Sequence, residues 1–374
     1  MPTDGLRGVV ATETAISDID VENLKLMYAG YDVKELAARS SFEEVVHLLH
    51  TRELPNSEEL AALRTQIAKE RELHDFTKQL LLTMAKKSSP MSMLRTIVSA
   101  ESAYDPDGWV VSTDDGANHR KSLRLVARLP QMIAGYERLR GGKWPVEPNH
   151  QLGHAANLLY VLKGEVPPPE DARIMDQCLI LHADHTMNAS TFAARVTAGT
   201  LSDIHSAMTS AIATLKGPLH GGANEAVFEM VLDINSVEDV DANIKARLNR
   251  KERIMGFGHA VYKGEDPRAT VLREMARELG RRRGDSKWFD ISERICEVVR
   301  SEKGLNPNVD YYAAAVYHYL DIPKRLFTPI FAASRIAGWT AHVREQYARN
   351  KLIRPDSEYI GPAPRPYQDV SSRR

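Results

Sequence analysis

The chain has 374 residues, which corresponds to about two domains at the usual ~150 residues each. Its 49 basic and 50 acidic residues give a formal charge of −1, which argues against a protein that binds nucleic acid by neutralising phosphates and against a polybasic membrane anchor. Only two cysteines, Cys178 and Cys296, are present, so there is no disulfide framework and no cysteine-based zinc site. Without a signal-peptide pattern or an apolar run of about 18 residues, we expect a cytoplasmic protein of enzyme size that does not enter membranes.

The predicted elements are mostly helices. A β-branched stretch over residues 8–19 and a short one over 109–112 are the only strand signals. Apolar residues at three- and four-residue steps predict helices over residues 42–49, 58–72, 122–140, 170–181, 201–215, 266–280 and 327–350. Strands and helices do not alternate, which excludes a Rossmann or barrel fold. The sequence predicts a mostly α protein with a small N-terminal β element.

Two helix boundaries have clear signals. Gly217 and Pro218 end the helix over 201–215. Asp266 is typical of an N-cap, Pro267 of the first helical position and Gly280 of the residue after a helix. We interpret the run of charges at residues 281–285 as a solvated turn.

Three histidines lie in unusual local settings. His220 lies between a Gly-Pro turn and a helical pattern, where a neutral ring suits hydrogen bonding to a developing oxyanion; a mere helix cap is the alternative. His259 follows two glycines, with Lys263 and Arg268 beyond it, which suits an anion, although an exposed loop explains it equally well. His185 opens a small-residue segment suited to a pocket wall. His182, three residues before it, is interpreted as a core-edge histidine, because a third metal ligand is not evident.

Two charges occupy energetically unfavourable positions. Arg335 is the only charge between residues 329 and 341, so it needs a carboxylate partner or an anionic substrate. Asp310 precedes an apolar run, which suits a general base with a raised pKa, or else an N-cap. Together these residues suggest acid–base chemistry on a polycarboxylate.

These segments, taken in order, resemble the citrate synthase family over nearly the whole chain. The similarity rests on GVVATET at residues 8–14, YDVKELA at 31–37, HTMNASTF at 185–192, GPLHGGANE at 217–225, MGFGHAVYKGEDPR at 255–268, PNVD at 307–310, LFTPIFAASRIAGW at 326–339 and IRP at 353–355. The resemblance implies a helical homodimer in cytoplasm. It also implies a large domain of residues 1–221 and 322–374 and a small, CoA-binding domain of residues 222–321.

The resemblance also implies the chemistry of the tricarboxylic acid cycle enzyme, which condenses acetyl-CoA with oxaloacetate and hydrolyses the intermediate to citrate and CoA. By that resemblance Asp310 is the base, His220 stabilises the enolate, and His259 polarises oxaloacetate and acts as acid. His185, Arg268 and Arg335 would bind substrate carboxylates, and Arg354 would complete the site of the other subunit. The CoA-binding residues implied are Ile254, Met255, Gly256, Phe257, Gly258, Lys263 and Asn308. No metal and no tightly bound cofactor are implied.

Four other functions remain as alternatives. A 2-methylcitrate synthase that uses propionyl-CoA keeps the same catalytic residues, and dual specificity is possible, since one methylene is worth only ~1–3 kcal/mol. A citryl-CoA lyase would normally belong to a larger assembly. An inactive helical scaffold would not need all of these charged residues. A metal hydrolase would have to rest on His182 and His185.

Overall fold

The computed structural model describes residues 4–6, 8–259, 261–262 and 264–373. Over these residues the chain forms helices and one small antiparallel sheet, so the prediction of a mostly α fold with an N-terminal β element is confirmed. The helices are α1 (Val33–Arg39), α2 (Phe42–Thr51), α3 (Ser57–Lys69), α4 (Asp75–Met84), α5 (Pro90–Glu101), α6 (Asp115–Arg140), α7 (His154–Lys163), α8 (Pro169–His182), α9 (Ala189–Gly199), α10 (Ile204–Leu215), α11 (Ala223–Leu232), α12 (Val240–Asn249), α13 (Pro267–Arg283), α14 (Lys287–Lys303), α15 (Val309–Tyr319) and α16 (Phe327–Ala348).

The sheet differs from the predicted strands. It consists of β1 (Ser17–Asp20), β2 (Lys25–Tyr28) and β3 (Tyr31–Asp32), paired in that order. Only the end of the predicted strand over 8–19 is therefore a strand. The hairpin between β2 and β3 turns through two positive-φ residues, Ala29 and Gly30. Because alanine is not typical of such a turn, the sequence did not predict it.

The strand predicted over residues 109–112 is wrong. These residues lie in successive turns, where the N–H of Val110 donates to the carbonyl of Asp107 at 2.9 Å. Trp109 is 98% exposed. A short apolar run forms a strand only where a partner strand satisfies its backbone, and none of the described residues pairs with it.

Helix α16 lies at the centre of the larger group of helices. It packs against α2, α6, α8, α9 and α10, and almost all of its side chains are buried, including Trp339 and Arg335. A helix that is buried on all sides places whatever charge it carries in the interior. This explains why Arg335 could be identified from the sequence as an unusual charge.

The predicted start of α13 is confirmed and its predicted end is wrong. Asp266 caps the helix by accepting a hydrogen bond from the N–H of Arg268 at 3.0 Å, and Pro267 is its first residue. Gly280 lies inside the helix, and the left-handed cap is Gly284, with a φ of +66°. A Cβ at Gly280 would lie 3.1 Å from the carbonyl oxygen of Asp285 and 3.2 Å from the hydroxyl of Tyr319, so close packing favours glycine there.

The charged run at residues 281–285 is accordingly the last turn of α13 and its cap. Its arginines bind Asp171 of α8, Arg282 at 2.8 Å and Arg283 at 3.2 Å. This turn is therefore not simply solvated, because it links α13 to α8.

Residues 222–321 contain α11 to α15, which pack mainly on one another. Contacts to the rest of the chain run mainly through α1, α8, α16 and the 3₁₀ turn Lys324–Leu326. The division into a large and a small domain at residues 221 and 322 stays a prediction. Across the described ranges, no helix is both long enough and apolar enough to cross a lipid bilayer.

Candidate active site

A cavity of about 360 Å³ brings together most of the residues predicted to act. It lies between α9, α13, α15, α16 and the loops before them. Its lining residues are His185, Thr186, Met187, Asn188, Ala189, His220, His259, Val261, Arg268, Asn308, Val309, Asp310, Phe331 and Arg335. All three predicted catalytic residues and three of the four predicted carboxylate ligands are among them. Residues up to 150 positions apart in the sequence therefore share one pocket.

Asp310 lies in the first turn of α15. The N-cap of this helix is Asn308, whose side chain accepts the Asp310 N–H at 3.1 Å, so the alternative role of Asp310 as N-cap is wrong. Its carboxylate accepts no hydrogen bond from the side chains that the structure describes. Burial raises the pKa of Asp310 to about 6, and nearby Asp266 adds to this, against the opposing charges of Arg268 and Arg335.

His259 has a fixed proton arrangement. Its Nδ1 accepts the backbone N–H groups of Val261 at 3.0 Å and Tyr262 at 3.1 Å. Because a backbone N–H can only donate, the proton of the neutral ring is on Nε2. Burial, reinforced by the charge of Arg268, lowers the pKa of His259 to about 4. The ring is therefore a neutral hydrogen-bond donor at physiological pH.

His220 precedes α11 and contacts Ser190. Its Nε2 lies 2.8 Å from the Ser190 hydroxyl oxygen, which also accepts the indole N–H of Trp339 at 3.1 Å. Burial, together with the charge of Arg335, lowers the pKa of His220 to about 4. The N-cap of α11 is Gly222 and no side chain caps it, so the helix-cap interpretation of His220 is wrong.

His185 forms the wall beside His259. The two rings meet edge to face with centroids 5.1 Å apart. Burial and the charge of Arg268 hold the pKa of His185 well below its usual range, so it is neutral. His182 lies in the core as expected: it is fully buried and its Nδ1 lies 2.7 Å from the carbonyl of Cys178.

The two arginines of the pocket differ. Arg268 forms a two-point ion pair with buried Asp266, at 3.0 Å from Nε and 2.8 Å from the terminal nitrogen. Arg335 donates to the carbonyl of His182 at 2.6 Å and stacks over Phe331 at 4.6 Å. No carboxylate of the described residues lies within ion-pair distance of Arg335, and burial lowers its pKa to about 10. Its guanidinium therefore has donors free for an anion in the pocket.

Arg354 is not brought into this pocket. Its side chain is 75% exposed, and among the described residues its ion-pair partner is Asp356 at 3.2 Å. It lines a separate groove of about 1180 Å³ between the N-terminal arm and the C-terminal segment.

The predicted CoA segment mostly lies beside the pocket. Ile254 and Phe257 are buried, Met255 is half-buried, and Gly256 packs against Val227 and Tyr311. Gly258 has a φ of +78°, and its carbonyl accepts the side-chain amide of Asn308 at 3.0 Å. Of the predicted CoA residues only Asn308 lines the pocket. Lys263 lies outside the described residues.

Two residues of this site were not predicted from the sequence as functional residues. Ser190, which contacts His220, was only part of a motif, although its place two residues after Asn188, the N-cap of α9, is a readable signal. Asp266 was predicted as an N-cap alone. Its second role as the ion-pair partner of Arg268 has no signal in sequence beyond the two-residue spacing.

Known proteins resemble this chain closely. The family model described as citrate synthase, C-terminal domain, matches residues 5–356. Citrate synthase 2 of Bacillus subtilis is 48% identical over 99% of both chains. This chain belongs to the citrate synthase family.

Two further relatives bear on the reaction of this family member. The citrate/2-methylcitrate synthase of Bacillus subtilis is 41% identical over 96% of both chains. The citrate synthase of the thermophilic archaeon Thermoplasma acidophilum, solved as a ternary complex with carboxymethyl coenzyme A and oxaloacetate, has a TM-score of 0.94 at 30% identity and full coverage of both chains. The chain is thus similar throughout its length to enzymes that transfer acyl groups.

Proposed function

We propose that this chain condenses acetyl-CoA with oxaloacetate and hydrolyses the resulting thioester to citrate and CoA. The observation that carries the proposal is the content of one pocket. A carboxylate with a raised pKa, two neutral histidines and an arginine without an ion-pair partner face the same space. The reaction needs a base, two hydrogen-bond donors and an anion site, and these residues supply them.

The first step removes a proton from the methyl carbon of the thioester. Asp310 accepts this proton, and its raised pKa makes it a stronger base than an ordinary aspartate. A thioester carbon is so weakly acidic that the base alone is insufficient. A hydrogen bond from His220 to the thioester oxygen stabilises the charge that develops there.

The donor role of His220 depends on Ser190. In a neutral ring only one nitrogen carries a proton. The single proton of the Ser190 hydroxyl has two acceptors within reach, Nε2 of His220 and Oδ1 of Asn188, each at 2.8 Å. When the hydroxyl donates to Nε2, the proton of the His220 ring is on Nδ1, where it is available to the substrate. Ser190 is therefore proposed to position the proton of His220.

The second step forms the new carbon–carbon bond. The enolate carbon attacks the carbonyl carbon of oxaloacetate, and the carbonyl oxygen becomes an alkoxide. Nε2–H of His259 polarises that carbonyl and gives its proton to the alkoxide, and the ring then regains a proton from water, which restores its neutral form. Water then cleaves the thioester, releasing CoA as the thiol and the third carboxylate of citrate.

Oxaloacetate is a dianion, and the proposed carboxylate ligands are Arg268, Arg335 and His185. Arg335 has the free donors for a two-point pair with a carboxylate. Arg268 keeps Asp266 as its own partner, so its positive field is partly neutralised before substrate binds. No tightly bound cofactor or metal is proposed, since CoA enters and leaves as part of substrate and product.

A homodimer is proposed because of the C-terminal segment. Residues 354–373 are exposed throughout, including Tyr359 at 78% and Ile360 at 92%. Exposed apolar residues on an extended segment suit contact with another chain. We infer that a second copy receives this segment and that Arg354 reaches the partner's pocket.

CoA is proposed to lie along residues 254–258 and Asn308, with Lys263 near its phosphates. Gly256 and Gly258 have left-handed backbone conformations. The N–H of Gly258 donates to the carbonyl of Asn306, and the carbonyl of Gly256 accepts the N–H of Asn308. We also propose that residues 222–321 move over the bound ligands.

The test is thiol release from acetyl-CoA and from propionyl-CoA, each with oxaloacetate, compared as kcat/KM. A ratio above about ten for acetyl-CoA would support a citrate synthase, whereas a ratio near one would support dual specificity like that named for the 41% identical relative. A reversed ratio would assign 2-methylcitrate synthesis. Thiol release with neither substrate would contradict the proposal.

A further inference from the structure

The turn that carries His185 into the pocket contains a buried carboxylate that the proposed reaction does not use. Asp184 is fully buried and is not among the pocket-lining residues. A buried charge is unfavourable unless its hydrogen bonds compensate it, so its partners indicate what it holds in place.

Donors from three parts of the chain converge on one oxygen of this carboxylate. Oδ2 of Asp184 accepts the hydroxyl of Ser17 in β1, the N–H of Thr186 at 3.1 Å and Nε2 of His342 in α16 at 3.2 Å. Arg195 donates to the other ring nitrogen of His342 at 3.2 Å, which leaves Nε2 as the donor toward Asp184. The carboxylate therefore ties the turn to the sheet and to α16.

The backbone of the turn is strained directly after His185. Thr186 has a φ of +51°, in the left-handed region that β-branched residues rarely adopt. Its N–H donates to Oδ2 of Asp184 and to the hydroxyl oxygen of Ser17 at 3.2 Å. Such a conformation persists only where its surroundings hold it, and Asp184 and Ser17 are those surroundings.

The same turn also anchors Arg335. The carbonyl of His182 accepts Nε of Arg335 at 2.6 Å, and the carbonyl of Ala183 accepts the N–H of Gly338 at 3.1 Å. A Cβ at Gly338 would collide with the carboxylate of Asp184, so α16 approaches the turn this closely only because Gly338 is glycine. Residues 182–186 thus connect two of the three proposed carboxylate ligands, His185 and Arg335, to one buried charge.

We propose that Asp184 is a positioning residue for oxaloacetate, because its carboxylate holds the strained Thr186 turn and thereby orients His185 and Arg335. The inference rests on the proposed function, since it names what holds the carboxylate ligands of that pocket. It assigns Asp184 no contact with substrate.

The experiment compares Asp184→Asn with the wild type in two measurements. One is the dissociation constant of oxaloacetate by calorimetry, and the other is kcat/KM for oxaloacetate at saturating acetyl-CoA. Misplaced ligands weaken both by about 10- to 100-fold. Glu43→Gln is the matched control, because Glu43 is also buried and accepts a backbone N–H, that of His154 at 2.9 Å, away from the pocket. It should lower thermal stability and leave both measurements at the wild-type values.

A double-mutant cycle tests whether Asp184 affects oxaloacetate binding through the turn at Thr186. Glycine adopts a positive φ without strain, so in Thr186→Gly the turn no longer needs Asp184 to stabilise its conformation. Asp184→Asn should therefore reduce kcat/KM by only about threefold or less when it is added to Thr186→Gly. A reduction as large as that in the wild-type background would overturn the inference.

Two further outcomes are decisive. An Asp184→Asn protein that unfolds more easily but binds oxaloacetate and turns over like the wild type would overturn the inference. If that variant does not fold, Ser17→Ala, which removes one donor and one acceptor from the turn, should show a smaller loss in the same direction, and no loss would overturn it. A wild-type protein that does not bind oxaloacetate would instead contradict the proposed function itself.

Discussion

Two cavities of this molecule are built in opposite ways. The pocket around Asp310 is lined by α9, α13, α15, α16 and the loops before them, and burial is the main cause of the shifted pKa values of Asp310, His220 and His259. The groove around Arg354 is about three times larger and is lined by both terminal segments together with Arg52 and residues of α9 and α16, and Arg354 in it is exposed to solvent. One chain therefore assembles the acid–base groups by itself, whereas Arg354, which is proposed to add positive charge for the product, lies outside that pocket.

Substitutions in the pocket and substitutions in the groove should therefore differ in which chain loses activity. A change in the pocket affects only the chain that carries it. A change at Arg354, if the proposed dimer forms, affects the other chain.

Asp310→Asn should cause the largest loss. The variant keeps the shape of the side chain but removes the base, so kcat should fall by about 10²- to 10⁴-fold. Thiol release from acetyl-CoA measures this loss, and oxaloacetate binding by calorimetry should stay within about threefold of the wild type. A kcat within tenfold of the wild type would assign the base to another group.

Arg354→Ala should reduce kcat/KM for oxaloacetate by about 10- to 100-fold, the usual value of hydrogen bonds to charged groups. Mixing this variant with Asp310→Asn, after unfolding and refolding them together, should restore activity. In such a hybrid one pocket has an intact Asp310 from its own chain and an intact Arg354 from the other. The control mixture of Asp310→Asn and His259→Gln should stay inactive, since both changes lie in the pocket. No restoration in the first mixture would contradict the transfer of Arg354 between chains.

Arg335→Lys should raise KM for oxaloacetate by about tenfold or more while leaving KM for acetyl-CoA nearly unchanged. Lysine keeps the charge but cannot form a two-point pair with a carboxylate, and it loses the stacking on Phe331. Arg349→Lys, at an exposed position in the groove, serves as the control. Equal KM values for the wild type and Arg335→Lys would remove Arg335 from the substrate contacts.

The pH dependence should report Asp310. A base must be deprotonated to act, and burial raises the pKa of Asp310 to about 6, so kcat/KM should fall about tenfold per pH unit below pH 6. His220 and His259, with pKa values lowered to about 4, stay neutral over that range. Arg354→Ala should leave the midpoint of the profile unchanged. A rate that is flat down to pH 5 would contradict the raised pKa.

Stability should change least and in the opposite direction to activity. The pKa of Asp310 is raised in the folded state, so its ionisation opposes folding above pH 6 and not below the unfolded value of about 4. Asp310→Asn should therefore increase the free energy of unfolding by about 3 kcal/mol at pH 8 and by less at pH 5. Urea unfolding at both pH values measures this, and Arg354→Ala, at an exposed site, should show no change at either. A less stable Asp310→Asn at pH 8 would contradict the burial of an ionised carboxylate.

The sequence identified the pocket well because its residues violate local expectations. Arg335 interrupts an apolar helix and Asp310 begins one, and such charges can be found by pattern alone. The same reasoning placed β1 only in part and missed β2 and β3, whose connecting turn requires a positive φ at Ala29 that alanine rarely adopts. Local patterns therefore revealed residues in unfavourable positions better than they revealed ordinary structure.

The remaining features depend on tertiary contacts that no local pattern encodes. Gly280 fits a helix end by its residue type, yet contact with Tyr319 explains it. The proton on Nε2 of His259 follows from two backbone N–H groups that meet its other nitrogen only in the folded loop. Asp184, which stabilises the turn at Thr186, is itself bound by Ser17 of β1 and His342 of α16, two elements far apart in sequence.

The proposed reaction joins the methyl carbon of acetyl-CoA to the carbonyl carbon of oxaloacetate. The most direct test follows acetyl-CoA labelled with ¹³C in its methyl group by NMR, in the presence of oxaloacetate and the wild-type protein. We expect the label to appear in a methylene carbon of citrate, with one free CoA for each citrate formed. Label that appears in acetate, or that stays in the thioester, would contradict it.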